Sequence, residues 1–268
     1  MEMEKIILVT GASSGFGKEI ASYLAKEGHI VYGTSRKKNV EAEFQMLELD
    51  VLKKETIKHC IETIIEKHGK IDVLINNAGM GIGGCLELAT EEEIQIQINT
   101  NLIGTINVCS EVLPYFRKQK NGRIINISSI AGIMGIPYQG LYSVSKFGIE
   151  GYSETLALEV AKFNIKVVLV EPGDFQTGFT ASRIISEATL NSETYGESFK
   201  KTLEIIEKEE NNGLKPIVLA KKINSIINKK HPRFRYPVAN FEQRLSILAK
   251  KLLPARLFHK ILRSFYKM

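Results

Sequence analysis

The residues Ile6-Ile7-Leu8-Val9-Thr10-Gly11-Ala12-Ser13-Ser14-Gly15-Phe16-Gly17-Lys18-Glu19-Ile20-Ala21 carry the strongest signal of architecture in the chain. The first four residues are apolar and read as a buried strand, and from about residue 16 a helical pattern runs to 27. Between them lie three glycines at G-x3-G-x-G spacing. Glycines allow a tight turn and let backbone N–H groups approach a pyrophosphate, and the helix N-terminus adds its positive dipole end. Such a loop also serves as a strand–helix turn with no ligand, so the rest of the chain has to choose between the two.

Outward from this loop, short apolar runs alternate with helix-length stretches. The runs are Ile30-Val31-Tyr32, Met46-Leu47-Glu48-Leu49, Ile71-Asp72-Val73-Leu74-Ile75, Arg123-Ile124-Ile125-Asn126-Ile127 and Lys166-Val167-Val168-Leu169-Val170. The helical stretches are about 16–27, 53–68, 91–118 and 140–163. Nearly continuous apolar strands separated by helices predict a parallel sheet covered on both faces. The expected fold is α/β: a single Rossmann-type doubly wound parallel sheet with a helical C-terminal extension. Residues 1–240 are expected to form one sheet domain, and 241–268 an amphipathic basic extension of it. Residues 178–230 read as helices with polar loops, a last short strand falls near Phe234-Arg235-Tyr236, and a helix over 240–268 breaks at Pro254.

The chain has 268 residues and a formal charge of +6. A basic total invites an acidic polymer as partner, yet the charge is unevenly placed. From His231 to Met268 there are nine Lys/Arg against one Glu, leaving 27 against 29 in the remainder. The body is nearly neutral and shows no stacking platform or groove-reading motif, so nucleic acid is not an expected partner. Cys60, Cys85 and Cys109 form no CxxC, and His29, His59, His68, His231 and His259 are scattered, so no metal site is expected. Met1 to Lys5 does not read as a signal peptide and no apolar run is long enough to span a bilayer. The expected location is cytoplasmic, with peripheral membrane contact as a second possibility.

Thr10-Gly11-x3-Gly15-x-Gly17, Asn76-Asn77-Ala78-Gly79 after a strand, and Tyr142-x3-Lys146 on a helix, taken in this order, resemble the short-chain dehydrogenase/reductase family. The resemblance runs from about Lys5 to Thr177, and Glu171 to Thr177 with the basic tail looks most like its steroid- and retinol-dehydrogenase branch. Leu49-Asp50-Val51 resembles the family's adenine-contacting segment, and Thr100-Asn101-Leu102-Ile103-Gly104 the segment carrying its catalytic Asn. Ser129 stands thirteen residues before Tyr142, and Pro172-Gly173-x3-Thr177 resembles the nicotinamide-side loop. Phe16 stands where Ile or Leu is usual. The resemblance implies cofactor contacts at Gly11, Ser13, Ser14, Gly15, Phe16, Gly17, Arg36, Asp50, Val51, Asn77, Ala78, Gly79, Tyr142, Lys146, Pro172, Gly173 and Thr177. It implies catalytic roles for Asn101, Ser129, Tyr142 and Lys146.

The residues themselves add chemistry to that likeness. No acid lies between Gly28 and Val40, whereas Arg36-Lys37-Lys38 follows the second strand. An acid there would take a ribose 2′-OH and an Arg suits a 2′-phosphate, so NADP(H) is expected over NAD(H). The competing reading makes these cations a solvated start to the next segment. Tyr142 and Lys146 share a helix face. A phenol titrates near 10, and a nearby ammonium is expected to lower it so that Tyr142 acts as general acid/base. Ser129 would bond the substrate oxygen, and Asn101 would hold a water linking Lys146 to solvent.

The expected activity is interconversion of an alcohol, lipophilic alcohols among the candidates, with its ketone or aldehyde. Two rivals are a nucleotide-sensing binding protein without turnover and a docking protein acting through the tail. In that tail Leu257, Phe258, Ile261, Leu262, Phe265 and Tyr266 share one helical face, and Arg256, His259, Lys260, Arg263 and Lys267 the other. Packing on the body or a partner subunit, membrane contact and nucleic-acid binding compete there, the first foremost. Family habit implies a homodimer or homotetramer.

Overall fold

A computed structural model describes residues 4–37 and 42–268. Lys38 and the chain to Val40, and the start at Met1, lie outside the described residues. In chain order the elements are β1 Ile6–Val9, α1 Gly15–Lys26, β2 Ile30–Ser35, β3 Gln45–Glu48, α2 Lys54–His68, β4 Val73–Asn76 and β5 Ile82–Gly83. Then come α3 Glu91–Ile98, α4 Gly104–Gln119, β6 Gly122–Ile127, α5 Gly140–Val160, β7 Ile165–Pro172, α6 Phe179–Ser182, β8 Ile184–Ile185 and α7 Glu187–Leu190. The chain ends with α8 Gly196–Asn211, α9 Pro216–Asn228, β9 Arg235–Val238, α10 Phe241–Leu252 and α11 Ala255–Phe265.

Seven strands form one parallel sheet in the order β3-β2-β1-β4-β6-β7-β9. Side chains alternate across a strand, so both faces of these apolar runs are buried. Ile7, Val9, Val73, Ile75, Ile125 and Val168 pack under α1 and α9. Ile6, Leu8, Tyr32, Leu74, Ile124 and Val167 pack under α2, α4 and α5. The strand order reverses between β1 and β4, and a crevice opens there at the carboxyl ends of the strands, where such sheets hold ligands.

Two features differ from the pattern reading. The stretch 91–118 is not one helix, because a π-helical turn over Asn99–Ile103 separates α3 from α4. Periodicity cannot register a single widened turn. A second, two-stranded sheet joins β5 to β8, and two-residue strands carry no alternation to read. The break at Pro254 is as expected, and the tail packs on the body, as the foremost reading of its apolar face had it. Phe258 and Ile247 are buried with Met134 in a small cluster that also takes Ile130, Ile133 and Leu262.

Candidate active site

The loop after β1 is shaped by glycine where no other residue fits. Gly11 and Gly15 have φ of 66° and 53°, in the left-handed region. A Cβ on Gly11 would lie 2.8 Å from Ala78 Cα, and one on Gly17 would lie 2.2 Å from Gly11 O. Neither a side-chain cap nor an acid satisfies the first turn of α1, whose N-cap is Ser14. Its free N–H groups face the crevice and fit an anion such as a pyrophosphate. Thr10 Oγ1 accepts from Asn77 N and Ala78 N, both at 3.0 Å, and Asn77 Nδ2 donates to Thr10 O and Gly11 O at 3.0 and 3.1 Å. Asn77 therefore clamps β4 to the glycine turn.

A cavity of about 790 Å³ runs along this crevice. Of the expected cofactor residues, Gly11, Ser13, Ser14, Gly15, Phe16, Arg36, Asp50, Val51, Asn77, Ala78, Gly79, Pro172, Gly173 and Thr177 line it. Gly17 sits behind the turn instead, in contact range of Gly11. Phe16 contributes more than backbone: its ring packs edge-on against Phe175 with centroids 4.9 Å apart. This contact joins the glycine loop to the loop after β7.

Ser129, Tyr142 and Lys146 also line the cavity. Ser129 follows β6 and caps a short 3-10 turn, accepting from Ala131 N at 3.1 Å. Tyr142 and Lys146 lie in the first turns of α5, with the Ser129 hydroxyl near the Tyr142 phenol. Lys146 Nζ donates to Ile127 O at 2.8 Å and lies 5.6 Å from the Tyr142 ring centroid. Burial dominates both groups. It pushes the Tyr142 phenol up to about 12, against the lowering by Ser129, and the Lys146 ammonium down to about 8. The expected depression of the phenol is thus absent from this state of the site: desolvation outweighs the lowering by Ser129, and the ammonium is bonded to a backbone carbonyl.

Asn101 does not line the cavity. The π turn directs it inward, where its Oδ1 accepts from Met80 N at 2.8 Å and its Nδ2 donates to Met80 O and Ser145 Oγ at 2.9 and 3.0 Å. It ties the segment after β4 to α5. Asn76, Asn126 and Ser153 form a similar buried bridge between β4, β6 and α5, at 2.9 and 2.8 Å.

Pattern reading missed the other end of the cavity. Asp174, Glu209 and Glu210 line it, Asp174 and Glu210 near Tyr142 and Glu209 near Asp174. Glu210 is neutralised by Arg183 and also accepts from Thr180 Oγ1 at 2.6 Å. Asp174 is bonded by the Gln243 amide of α10. Burial, with Glu210 and Glu209 adding to it, raises its carboxyl to about 7. Tyr266, which follows α11, lines the same region, and burial together with these three carboxylates holds its phenol far above the ordinary value. The apolar wall is made by Met134, Ile136, Ile206, Ile261, Leu262 and Phe265. The sequence signals were the apolar stripe of the tail and the place of Asp174 within the marked segment Glu171 to Thr177. The carboxylates of α8 look like any solvated pair until the helix is folded over the site.

Comparison with known proteins agrees with this geometry. A short chain dehydrogenase family model matches residues 5–187. A Bacteroides thetaiotaomicron protein named 3-ketodihydrosphingosine reductase is 56% identical over 263 residues, covering 98% of each chain. A short-chain dehydrogenase from Streptomyces avermitilis superposes with a TM-score of 0.81 at 30% identity, over 98% of this chain and 99% of that one. A variant of the actinorhodin polyketide ketoreductase with NADPH has a TM-score of 0.74 at 28% identity, over 89% and 98%. The chain belongs to the short-chain dehydrogenase/reductase family, and it is an oxidoreductase of alcohol and carbonyl groups.

Proposed function

We propose that the protein is an NADPH-dependent reductase of a long-chain α-amino ketone of the 3-ketodihydrosphingosine type. The observation that carries this reading is the mixed lining of the cavity: Asp174 near Tyr142 with Glu209 near it, and an apolar wall in the same cavity. Such a ketone has an ammonium one carbon from its carbonyl and a long saturated chain beyond it. The likeness to the Bacteroides reductase over nearly the whole chain supports the same substrate. Arg36 at the end of β2, with no acid in its segment, supports NADPH over NADH.

The glycine cradle and the open first turn of α1 would hold the pyrophosphate, Arg36 the 2′-phosphate, and Lys146, Pro172, Gly173 and Thr177 the nicotinamide end. Bound there, the nicotinamide supplies the hydride to the carbonyl carbon. Tyr142 gives its proton to the carbonyl oxygen; a phenol held protonated by burial suits reduction. The Ser129 hydroxyl, near Tyr142, stabilises the developing alkoxide. Lys146, with its ammonium near 8, can return a proton to Tyr142. Asp174 and Glu209 hold the substrate ammonium and fix which carbonyl meets Tyr142. A homodimer or homotetramer belongs to the same reading, supported by the exposed apolar row Val144, Phe147 and Leu158 on α5.

The test is a panel of long-chain α-amino ketone, its amine-free analogue, a ketosteroid and retinal, each with NADPH and with NADH. The amino ketone with NADPH should give the highest kcat/KM, and Tyr142→Phe should lower that turnover about a thousandfold while leaving NADPH binding. A higher kcat/KM for retinal or the steroid overturns the substrate. Near-parental turnover in the variant overturns the role of Tyr142.

A further inference from the structure

The last two helices present a surface that the catalytic cavity does not use. On α10, Phe241, Leu245, Leu248 and Leu252 recur at helical spacing on one face, with exposures of 79%, 53%, 50% and 72%. None of the four lines the cavity. On α11 the amphipathic face is split. Phe258 is buried against Met134 and Ile247, whereas Leu257, Ile261 and Phe265 stay about half exposed. Ile261 and Phe265 also line the cavity, so the open apolar face continues into its mouth.

Cations edge this face. Residues 241–268 hold seven Lys/Arg and one acid, Glu242, an excess equal to the +6 of the whole chain. Arg244 and Lys251 flank the stripe on α10, and Arg256, Lys260, Arg263 and Lys267 flank that on α11, by helical spacing. All six are exposed, and none forms a salt bridge among the described residues. An apolar centre with a cationic border and almost no acid is complementary to an anionic lipid surface: the Leu and Phe side chains enter the acyl boundary while Lys and Arg extend to the headgroups. A second copy is the poorer occupant, because closing two such faces together would oppose two strongly positive borders.

We propose that α10 and α11 form a docking face for an anionic lipid bilayer, placing the cavity mouth, rimmed by Ile261 and Phe265, against the membrane. A long-chain ketone could then pass from bilayer to cavity without exposing its chain to water. That consequence rests on the substrate reading; the docking itself rests only on the surface.

The full chain should be sedimented with phosphatidylglycerol–phosphatidylcholine vesicles and with pure phosphatidylcholine vesicles, at low and high salt. Binding is expected to the anionic vesicles, weakened by salt. It should fall by at least about tenfold in Leu245→Glu with Leu248→Glu, and likewise in Arg256→Glu with Lys260→Glu. Turnover of a water-soluble ketone should be unchanged in the first pair, which also shows that it folds. Absence of sedimentation with anionic vesicles, or parental binding by both pairs, overturns the proposal. So does a lipid-free dimer that Leu245→Glu with Leu248→Glu dissociates, with no vesicle binding by the parent. Vesicle binding is read without turnover, so its failure and a failure of the substrate assignment are separate results.

Discussion

Asp174 is the residue on which substrate choice turns. It follows Gly173 in the loop after β7, is held by Gln243, and faces the cavity with Glu209 near it. Its carboxyl is raised to about 7, chiefly by burial and then by Glu210 and Glu209. The native chain therefore holds a proton that the unfolded chain releases above the ordinary carboxyl value of about 4. Stability from this group falls as pH rises from about 4 to about 7 and stays low above that. Asp174→Asn removes the titration, so its Tm should gain on the parent's between about pH 5 and about pH 8. The same variant should raise KM for the amino ketone about tenfold, the loss of one charge-assisted contact, with a much smaller change for the amine-free ketone. Equal KM changes for the two ketones would remove the ammonium contact. Asp174 lies inside a segment that pattern reading marked, yet its role depends on α8 and α10 arriving beside it.

Between residues and whole chain stand the elements, and here two short ones matter most. The π turn at Asn99–Ile103 places Asn101 in the interior, where it secures the segment after β4 to α5. Sequence marked Asn101 as a site residue, but its present bonds are those of a positioning residue. The turn that ends β2 carries Arg36, whose guanidinium borders the cavity while Ser35 Oγ accepts from Lys37 N at 3.0 Å. Arg36→Ala should raise the Kd for NADPH about tenfold or more and leave that for NADH nearly unchanged, as measured by fluorescence titration. Equal losses would show that Arg36 reads something other than the 2′-phosphate.

For the whole molecule, the tail is the decisive part. Gln243 bonds to Asp174, and Phe258 and Ile247 bury themselves against Met134, so α10 and α11 close the substrate side of the cavity. Phe258 is the anchor, at 2% exposure. Phe258→Ala should cost about 3 kcal/mol in urea unfolding if the tail unfolds with the body. A separate early transition would instead make α10 and α11 their own cooperative unit. The charge changes meaning at this scale too. Arg235 pairs with Glu150 and Glu171 next to the sheet, and Arg233 precedes it. Once these two are assigned to the body, the excess belongs to the two final helices alone.

The sheet, its two covered faces, the glycine cradle and the pairing of Tyr142 with Lys146 were all legible in the order of the amino acids. These follow from local periodicity, from glycine geometry and from residues four apart on one helix, all of which are written in neighbouring positions. Tertiary structure decided the ionisation of that pair, because burial is a property of what surrounds a residue. It also decided the acidic end of the cavity and the split of the tail into a packed face and an open one. Those contacts join residues such as Asp174 and Gln243, or Met134 and Phe258, that are distant along the chain. No local pattern records which of several apolar faces a helix will turn inward.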